Sequence, residues 1–241
     1  MEENYSHLVW DTDCFGFGVA RIIRTAPDGA ELSETLSILR DKGYRMVYWY
    51  VPAMLHETSR IATAYGGYLA DKKFTFAKKL VGLSNQPGIS AYNTVPYPSL
   101  EADSALIKLA LKSGSYSRFR LDPTFPREMY EKLYTCWIAR AVSKEIAWEV
   151  LVVKDYDDYL GVITLGSKDN QGSIGMAAVA QHARGKGIGK VLLADADILL
   201  AERGYSFVQV VTQKRNFGAC RLYESCGYQI DKIENVFHFW L

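Results

Sequence analysis

A short glycine-rich basic segment, placed between a strand-like run and an amphipathic helix, constrains this sequence more than any other feature. The segment reads Gln181-His182-Ala183-Arg184-Gly185-Lys186-Gly187-Ile188-Gly189-Lys190. Its three glycines allow close approach of the backbone to a ligand, and a helix start leaves N–H groups without internal acceptors. The helix dipole and the side chains of Arg184, Lys186 and Lys190 add positive charge. The segment therefore predicts a pyrophosphate site, with a solvated glycine-rich connection as the alternative.

Glycine spacing separates this segment from two common phosphate-binding motifs. A P-loop requires GxxxxGK followed by Ser or Thr, whereas Lys190 is followed by Val191. A dinucleotide-binding fold requires GxGxxG at its first strand-helix turn, whereas Gly185, Gly187 and Gly189 alternate and come late in the chain. The sequence therefore disfavours a nucleoside triphosphatase and a dinucleotide-binding fold.

A second element follows the next predicted strand and reads Asn216-x-x-Ala219-x-x-x-Tyr223-x-x-x-Gly227-Tyr228. Asn216 can cap a helix, and a separation of seven residues places Tyr223 nearly on the same helical face, about two turns later. One end of this helix can meet a pantetheine-like chain while the other presents a phenol. Simple packing of an amphipathic side chain is the alternative role for Tyr223.

The two elements together resemble the GNAT family of N-acetyltransferases. The segment from Arg184 to Gly189 is similar to the family's R/Q-x-x-G-x-G/A acyl-CoA loop. The second element is similar to its N-x-x-A-x-x-x-Y-x-x-x-G-F/Y segment. The resemblance implies acetyl-CoA as the acyl donor and Tyr223 as the catalytic residue. The cofactor-binding residues that it implies are Ala178, Val179, Ala180, Arg184, Gly185, Lys186, Gly187, Ile188, Gly189, Lys190, Asn216, Ala219 and Tyr223.

The implied reaction is direct attack of a neutral primary amine on a thioester carbonyl. Backbone N–H groups along 176–179 are the expected donors to the oxyanion, as in the family. A free tyrosine has a pKa of about 10 and a thiol about 8.5, so Tyr223 can protonate the departing thiolate as general acid. No Asp or Glu occupies an obvious fourth-strand position for a base, so we expect deprotonation of the amine through water.

Shorter sequence matches indicate a class of substrate that would accept the acetyl group. They resemble the family's bacterial TDP-fucosamine acetyltransferases, which acetylate the 4-amino group of a dTDP-linked 4-amino-4,6-dideoxygalactose. The matching residues are 9–16, Ser117-Arg118-Phe119-Arg120, Phe125, Trp137-Ile138, Thr212-Gln213 and Asn216. Guanidinium groups beside an aromatic ring suit a nucleotide diphosphate, so Ser117, Arg118, Phe119 and Arg120 are the predicted substrate-binding residues, with a solvated loop as the alternative. An acceptor amine on a protein, a peptide or another small molecule stays open, as does a non-catalytic acyl-CoA-binding protein.

The hydrophobic pattern predicts two α/β segments, 1–90 and 91–241, with a seam rich in Pro and Gly over 86–98. The first reads β-α-β-α-β and ends in a strand over 74–81. The second contains a helix over 100–112 capped by Ser99, a loop over 115–120, an antiparallel meander and a final strand over 236–241. With the resemblance, this predicts a mixed, mostly antiparallel sheet flanked by helices. A smaller, partial GNAT-like domain would precede the acetyl-CoA-binding catalytic domain.

The composition argues against several classes of binding partner. Lys and Arg number 28 against 27 Asp and Glu, a balance that argues against a dedicated nucleic-acid binder. No signal-peptide pattern, membrane-length apolar run or metal-ligand spacing of His and Cys is present, so we expect a cytoplasmic protein without metal or membrane contacts. Cys14, Cys136, Cys220 and Cys226 form no CxxC pair and are expected to be reduced thiols, with Cys220 and Cys226 as buried packing residues. A homodimer stays open.

Overall fold

A mixed sheet of ten strands runs through the chain, which the computed structural model describes over residues 4–80, 91–156 and 158–241. The strands are β1 (Tyr5–His7), β2 (Gly18–Ile22), β3 (Tyr44–Pro52), β4 (Tyr68–Lys79), β5 (Val95–Pro96), β6 (Glu149–Asp155), β7 (Asp158–Lys168), β8 (Gln171–Val179), β9 (Phe207–Gln213) and β10 (Gln229–Trp240). The helices are α1 (Val9–Phe15), α2 (Gly29–Asp41), α3 (His56–Ala64), α4 (Ser104–Ser113), α5 (Arg118–Leu121), α6 (Arg127–Val142), α7 (Ile188–Glu202) and α8 (Phe217–Ser225).

The strand order is β1-β2-β3-β10-β4-β9-β8-β7-β6-β5. Neighbouring strands are antiparallel except for the parallel pairs β2–β3 and β8–β9. Helices cover both faces of the sheet: α1, α4, α5 and α6 pack over one aromatic-rich core, while α2, α3, α7 and α8 cover the other face. The predicted mixed, mostly antiparallel sheet flanked by helices is confirmed.

Strands from the two predicted segments share this sheet. The last strand, β10, lies between β3 and β4, and β4 also pairs with β9. Residues 81–90 lie outside the described ranges. The predicted boundary between residues 90 and 91 is at the end of this stretch, which also contains part of the predicted seam. Side chains of the first segment therefore reach the same surfaces as side chains of the second.

The parallel pair β8–β9 is short. Its register joins only Gly172 to Val208, Ser173 to Gln209 and Ile174 to Val210. Directly after Ile174, the register between β7 and β8 shifts by one residue, leaving Gly175 as the extra residue of a β-bulge. The strands β8 and β9 separate beyond this point, and the separation opens a cleft in the middle of the sheet.

Several boundaries differ from the sequence-based prediction. Helix α4 begins at Ser104 and is capped by Asp103, whose carboxylate accepts the Leu106 N–H at 2.8 Å, so the prediction of Ser99 as the cap was wrong. The predicted loop over 115–120 is a 3₁₀ turn (Gly114–Tyr116) followed by α5. Strand β10 is about twice as long as predicted, because pairing with both β3 and β4 extends it beyond its apolar end.

A buried polar pair ties α5 to the central strand. Asp122, directly after α5, accepts hydrogen bonds from His238 Nδ1 (2.6 Å) and Trp240 Nε1 (3.0 Å) of β10. Burial lowers the pKa of His238 to about 4, against a partly opposing effect of Asp122, so the ring is neutral at pH 7. The pair therefore holds the end of α5 against the sheet without a buried cation on His238.

The low pKa of His238 predicts acid sensitivity of the fold. Between pH 6.5 and about 4 the unfolded state binds a proton at His238 that the folded state does not. The free energy of unfolding should therefore fall as the pH decreases through this window, by about 3 kcal/mol in total. Chemical denaturation at several pH values measures this loss, and His238→Gln should reduce its slope.

The matched control is His56→Gln, because His56 is exposed at the start of α3. This variant should keep the wild-type slope. An unchanged slope in folded His238→Gln would show that another group takes up the proton.

Candidate active site

The glycine-rich segment lies between β8 and α7, as the sequence predicted. Gly185 and Gly187 have φ angles of 79° and 84°, in the left-handed region where side chains other than glycine are strained. Within the described chain, the N–H groups over 185–189 have no acceptor, whereas the next two N–H groups bond to the Gly187 carbonyl. The turn therefore presents successive unpaired donors at the start of a long helix.

Cationic side chains surround these donors. Arg184, Lys186 and Lys190 are exposed, and none forms an ion pair with a described residue. Arg184 Nε also donates to the Val179 carbonyl at 3.4 Å, which links the turn to the end of β8. The Ile188 side chain is buried in the core beneath α7, so this residue can offer a ligand only its backbone. The surroundings favour an anion.

Helix α7 also packs closely against α8. A Cβ atom at Gly189 would come 2.8 Å from Leu222 Cδ2. Glycine at this position therefore serves helix packing, which brings the two predicted motifs together.

Strand β8 offers hydrogen-bond donors to the cleft. The Met176 N–H bonds to Thr164 Oγ1 at 2.9 Å, and the Ala180 N–H bonds to the Leu160 carbonyl at 2.8 Å. Because backbone groups alternate along a strand, Ala178 also bonds towards β7, while Ala177 and Val179 direct their N–H groups towards the cleft. Of the expected donors over 176–179, these two therefore point into the cleft.

The second motif is helical as predicted. Asn216 Oδ1 accepts the Ala219 N–H at 3.2 Å and caps α8, and Tyr223 follows about two turns later. Tyr223 is buried, and its hydroxyl has no hydrogen-bond partner in the described ranges. Burial raises the pKa of Tyr223, so the hydroxyl is protonated at neutral pH.

A cavity of about 220 Å³ lies in the cleft beside the second motif. Its lining includes residues from both separating strands, the three motif residues Asn216, Ala219 and Tyr223, and residues from α5 and α6. The complete lining is Asp71, Ser113, Ser117, Arg118, Phe119, Tyr134, Trp137, Gly175, Met176, Ala177, Val210, Val211, Thr212, Gln213, Asn216, Ala219 and Tyr223. The cavity therefore brings the three residues of the second motif together with Ser117, Arg118 and Phe119, whereas the glycine-rich turn lies outside its lining.

Asp71 on β4 is the functional candidate that sequence reasoning missed. It lines the cavity, and burial raises its pKa to about 6, with Arg118 the largest opposing influence. The predicted strand began at residue 74, which left Asp71 in a connection without a motif. Only the long-range pairing of β4 with β9 and β10 brings this carboxylate to the site, so no local signal could have identified it.

Arg118 occupies the same end of the cavity. Its guanidinium lies over the rings of Phe119 (4.2 Å) and Tyr48 (4.6 Å), and its Nε is buried without a partner among the described residues. The charges of Asp11 and Asp71 help to raise the pKa of Arg118 against the opposing effect of burial. This cation is therefore already compensated, and its buried Nε–H lacks an acceptor in the part of the chain that the structure describes.

The predicted substrate-binding residues are divided by the structure. Ser117, Arg118 and Phe119 line the cavity, whereas Arg120 is exposed and lies outside the lining. The short helix α5 causes this separation, because residues two positions apart on a helix point in different directions. Arg118 and Arg120 thus do not face one ligand together.

Two further features limit the chemistry of the site. Burial raises the pKa values of Cys220 and Cys226, so both are thiols at neutral pH, consistent with packing roles. Over the described ranges, no group of three His, Cys, Asp or Glu side chains could hold a metal ion, and none of the helices there is long and apolar enough to cross a membrane.

Known proteins share this architecture. Solved structures with the same fold include a GCN5-related N-acetyltransferase from Sphaerobacter thermophilus, with a TM-score of 0.66 and 15% identity over 98% of this chain and 76% of that one. Another is a GCN5-related N-acetyltransferase from Kribbella flavida, with a TM-score of 0.62 and 13% identity over 92% of this chain and 80% of that one. At these identities the likeness shows the fold.

Sequence comparison adds a curated relative and a family. The spore coat polysaccharide biosynthesis protein SpsD of Bacillus subtilis (strain 168) is 26% identical over 136 residues, which are 56% of this chain and 47% of that protein. The chain thus spans about half the length of this relative. Residues 114–228, which contain both motifs, match the acetyltransferase (GNAT) family model. The part of the chain that contains both motifs is therefore similar to the GNAT acetyltransferase family.

Proposed function

We propose that this chain transfers an acetyl group from acetyl-CoA to a primary amine bound at the Asp71 end of the cavity. The observation that carries the proposal is the opening between β8 and β9. One cavity there is lined by a protonated phenol, Tyr223, and by a carboxylate of raised pKa, Asp71. These are the two kinds of proton-transfer group that amide formation from a thioester and an ammonium ion requires.

The residues present fit acetyl-CoA. Unpaired N–H groups over 185–189, the start of α7 and the three exposed cations suit its pyrophosphate. The cleft-facing N–H groups of Ala177 and Val179 suit the amide-bearing arm and the thioester carbonyl. When bound, acetyl-CoA supplies an activated acetyl thioester.

The chain's own groups would move two protons. Asp71 accepts the proton that an ammonium acceptor must lose before its nitrogen can attack, which replaces the expected water-mediated step. Tyr223 donates its proton to the departing sulfur, and the N–H groups of β8 stabilise the negative charge that develops on the carbonyl oxygen. The cavity walls hold both reactants in one small volume, which lowers the entropic part of the barrier.

For the acceptor, we propose the 4-amino group of a dTDP-linked 4-amino-4,6-dideoxyhexose. The resemblance of the motifs supports this class, and so does similarity to a protein of polysaccharide biosynthesis. The small volume of the cavity, whose lining includes Trp137 and Tyr134, favours a compact amine over an extended peptide. The protonated Tyr223 in the cavity argues against a protein that only binds acyl-CoA. The free cysteines fit a cytoplasmic location.

Release of CoA from acetyl-CoA, measured with a panel of nucleotide-linked amino sugars, free amino sugars, lysine peptides and polyamines, tests the proposal. Turnover with an amine, and highest kcat/KM with the nucleotide-linked sugar, is expected. Highest kcat/KM with peptides would replace the acceptor assignment. Absence of turnover despite CoA binding would favour a binding protein.

Gly187→Val should weaken CoA binding at least tenfold, because valine is strained at a φ of 84° and disturbs the donors of the turn. Calorimetry with CoA measures the effect. Gly204→Val is the matched control: Gly204 has a φ of 86° beyond the other end of α7, with nothing within 4 Å of an added Cβ. Both variants should lose similar stability, but only Gly187→Val should lose CoA affinity. Wild-type affinity in a folded Gly187→Val protein would remove the pyrophosphate from this turn.

Tyr223→Phe should lower kcat about 100-fold while the Kd of CoA changes little, since it removes only the proton donor. Stability should hardly change, because the Tyr223 hydroxyl lacks a hydrogen-bond partner in the described chain. Tyr228→Phe is the control: it removes a 2.5 Å bond to the buried Asp197 and should lower stability but not the kcat of folded enzyme. A kcat within about twofold of wild type in Tyr223→Phe would assign the proton to water.

Asp71 should set an acidic limb in the pH profile. With a pKa of about 6, its carboxylate is lost as the pH falls through 6, so kcat should decrease there. Asp71→Asn should lower kcat about 100-fold and abolish this limb. Asp11→Asn removes the other carboxylate near Arg118 without altering the cavity lining, so the limb should persist. Persistence of the limb in Asp71→Asn would return deprotonation to water.

A further inference from the structure

The cavity has room for only part of a nucleotide-linked acceptor. Its volume is about 220 Å³, while pockets that enclose drug-sized ligands usually measure about 300–1,000 Å³. The amine-bearing sugar and the acetyl thioester must share this space. A nucleoside diphosphate attached to the sugar would therefore lie outside the cavity, on a neighbouring surface.

Arg118 is poorly suited to hold that diphosphate. Its charge is compensated by Asp11 and Asp71, and its guanidinium lies against the faces of two aromatic rings. The local charge of these three groups, with both carboxylates ionised, is negative and favours an ammonium ion. The free Arg118 Nε is better matched to a hydroxyl oxygen of the sugar.

A basic surface continues from Asp71 along the same face of the sheet. Val236 of β10 pairs with Tyr50 of β3 on one side and with Asp71 of β4 on the other. The side chains of Tyr50 and Asp71 therefore lie on the same face of the sheet, on either side of Val236. Lys73, two residues after Asp71, points to the same face. The Tyr50 ring connects the two regions, because Arg118 of the cavity lies 5.6 Å from its centre.

Three cations border Tyr50 and the mouth of the cavity. Arg21 lies 4.6 Å and Lys73 5.2 Å from the centre of the Tyr50 ring, while Arg215 is near enough to lower the pKa of Asp71. Arg21 and Arg215 are exposed and form no ion pair with a described residue. Lys73 and Lys232 share a single carboxylate, that of the buried Glu234. The surface thus has a surplus of positive charge although the whole chain is nearly neutral.

We propose that this basic surface (Arg21, Tyr50, Lys73 and Arg215) binds the nucleoside diphosphate of the acceptor while its amino sugar occupies the cavity. The inference deepens the proposed function and rests on it for the identity of the sugar. Arginine and lysine supply charge-assisted donors to phosphate oxygens, and the half-buried Tyr50 offers a ring face beside them. The diphosphate contact, which the sequence predicted for Arg118 and Arg120, is thereby assigned to a surface built mainly by the first half of the chain.

Calorimetric titration of dTDP into protein saturated with CoA tests the surface, because saturation blocks the pyrophosphate site of the glycine-rich turn. Wild type should bind dTDP, more weakly as salt is raised. Arg21→Gln and Lys73→Gln should each weaken binding about tenfold, the loss expected for one charge-assisted contact. Lys72→Gln is the matched control, because Lys72 is the neighbour of Lys73 on β4 but points to the opposite face.

Kinetics supply a second measurement. Arg21→Gln and Lys73→Gln should raise the KM for a nucleotide-linked amino sugar about tenfold, while the KM values for the unlinked amino sugar and for acetyl-CoA stay unchanged. Arg21→Gln breaks no ion pair, so it separates ligand binding from any loss of stability in Lys73→Gln.

The outcomes distinguish this proposal from the proposed function. Loss of dTDP binding in the two variants, with CoA binding intact, supports the surface even if no amine is acetylated, in which case only the proposed function fails. Wild-type dTDP affinity in both folded variants would overturn the surface. Failure of the CoA-saturated wild type to bind dTDP would overturn it as well.

Discussion

The separation of β8 from β9 is the constraint on which the site depends. Parallel pairing ends after three residue pairs, so the N–H groups of Ala177 and Val179 point into the cleft and away from β7. Unpaired N–H groups in a sheet interior are costly unless a ligand or water accepts them. The bulge at Gly175 and the bond from Met176 to Thr164 Oγ1 stabilise this departure from regular pairing on the β7 side. The cleft is thus a regular part of the fold, and Asn216, Ala219 and Tyr223 of the second motif line it.

Insertion of β10 between β3 and β4 makes the cavity a product of the whole chain. Asp71 comes from the segment 1–90, whereas Arg118 and Tyr223 come from the segment 91–241. Asp122 adds a connection, since its carboxylate joins the end of α5 to His238 and Trp240 of β10. The position of Arg118 on α5 therefore depends on a strand that is completed only at the end of the chain.

Electrostatics divide the cleft into regions of different character. The glycine-rich turn gathers unpaired N–H groups and exposed cations at the start of α7. The Asp71 end combines one cation with two carboxylates in a poorly solvated space, where burial raises the pKa of Asp71 and of Asp11. Burial also raises the pKa of Tyr223 and keeps it protonated. Low solvation thus prepares one group to accept a proton and another to donate one.

The sequence by itself determined the parts whose physics is local. Glycines at positive φ, a helix start with nearby cations and the Asn216 cap depend on neighbouring residues, and the structure contains each where it was predicted. Patterns of apolar residues likewise placed α7 and the strands of the meander. The tertiary structure decided everything that depends on distant pairing: the extension of β10, the arrival of Asp71 in the cavity and the basic surface around Tyr50. No short-range pattern encodes these features, because they arise when strands more than a hundred residues apart pair in one sheet.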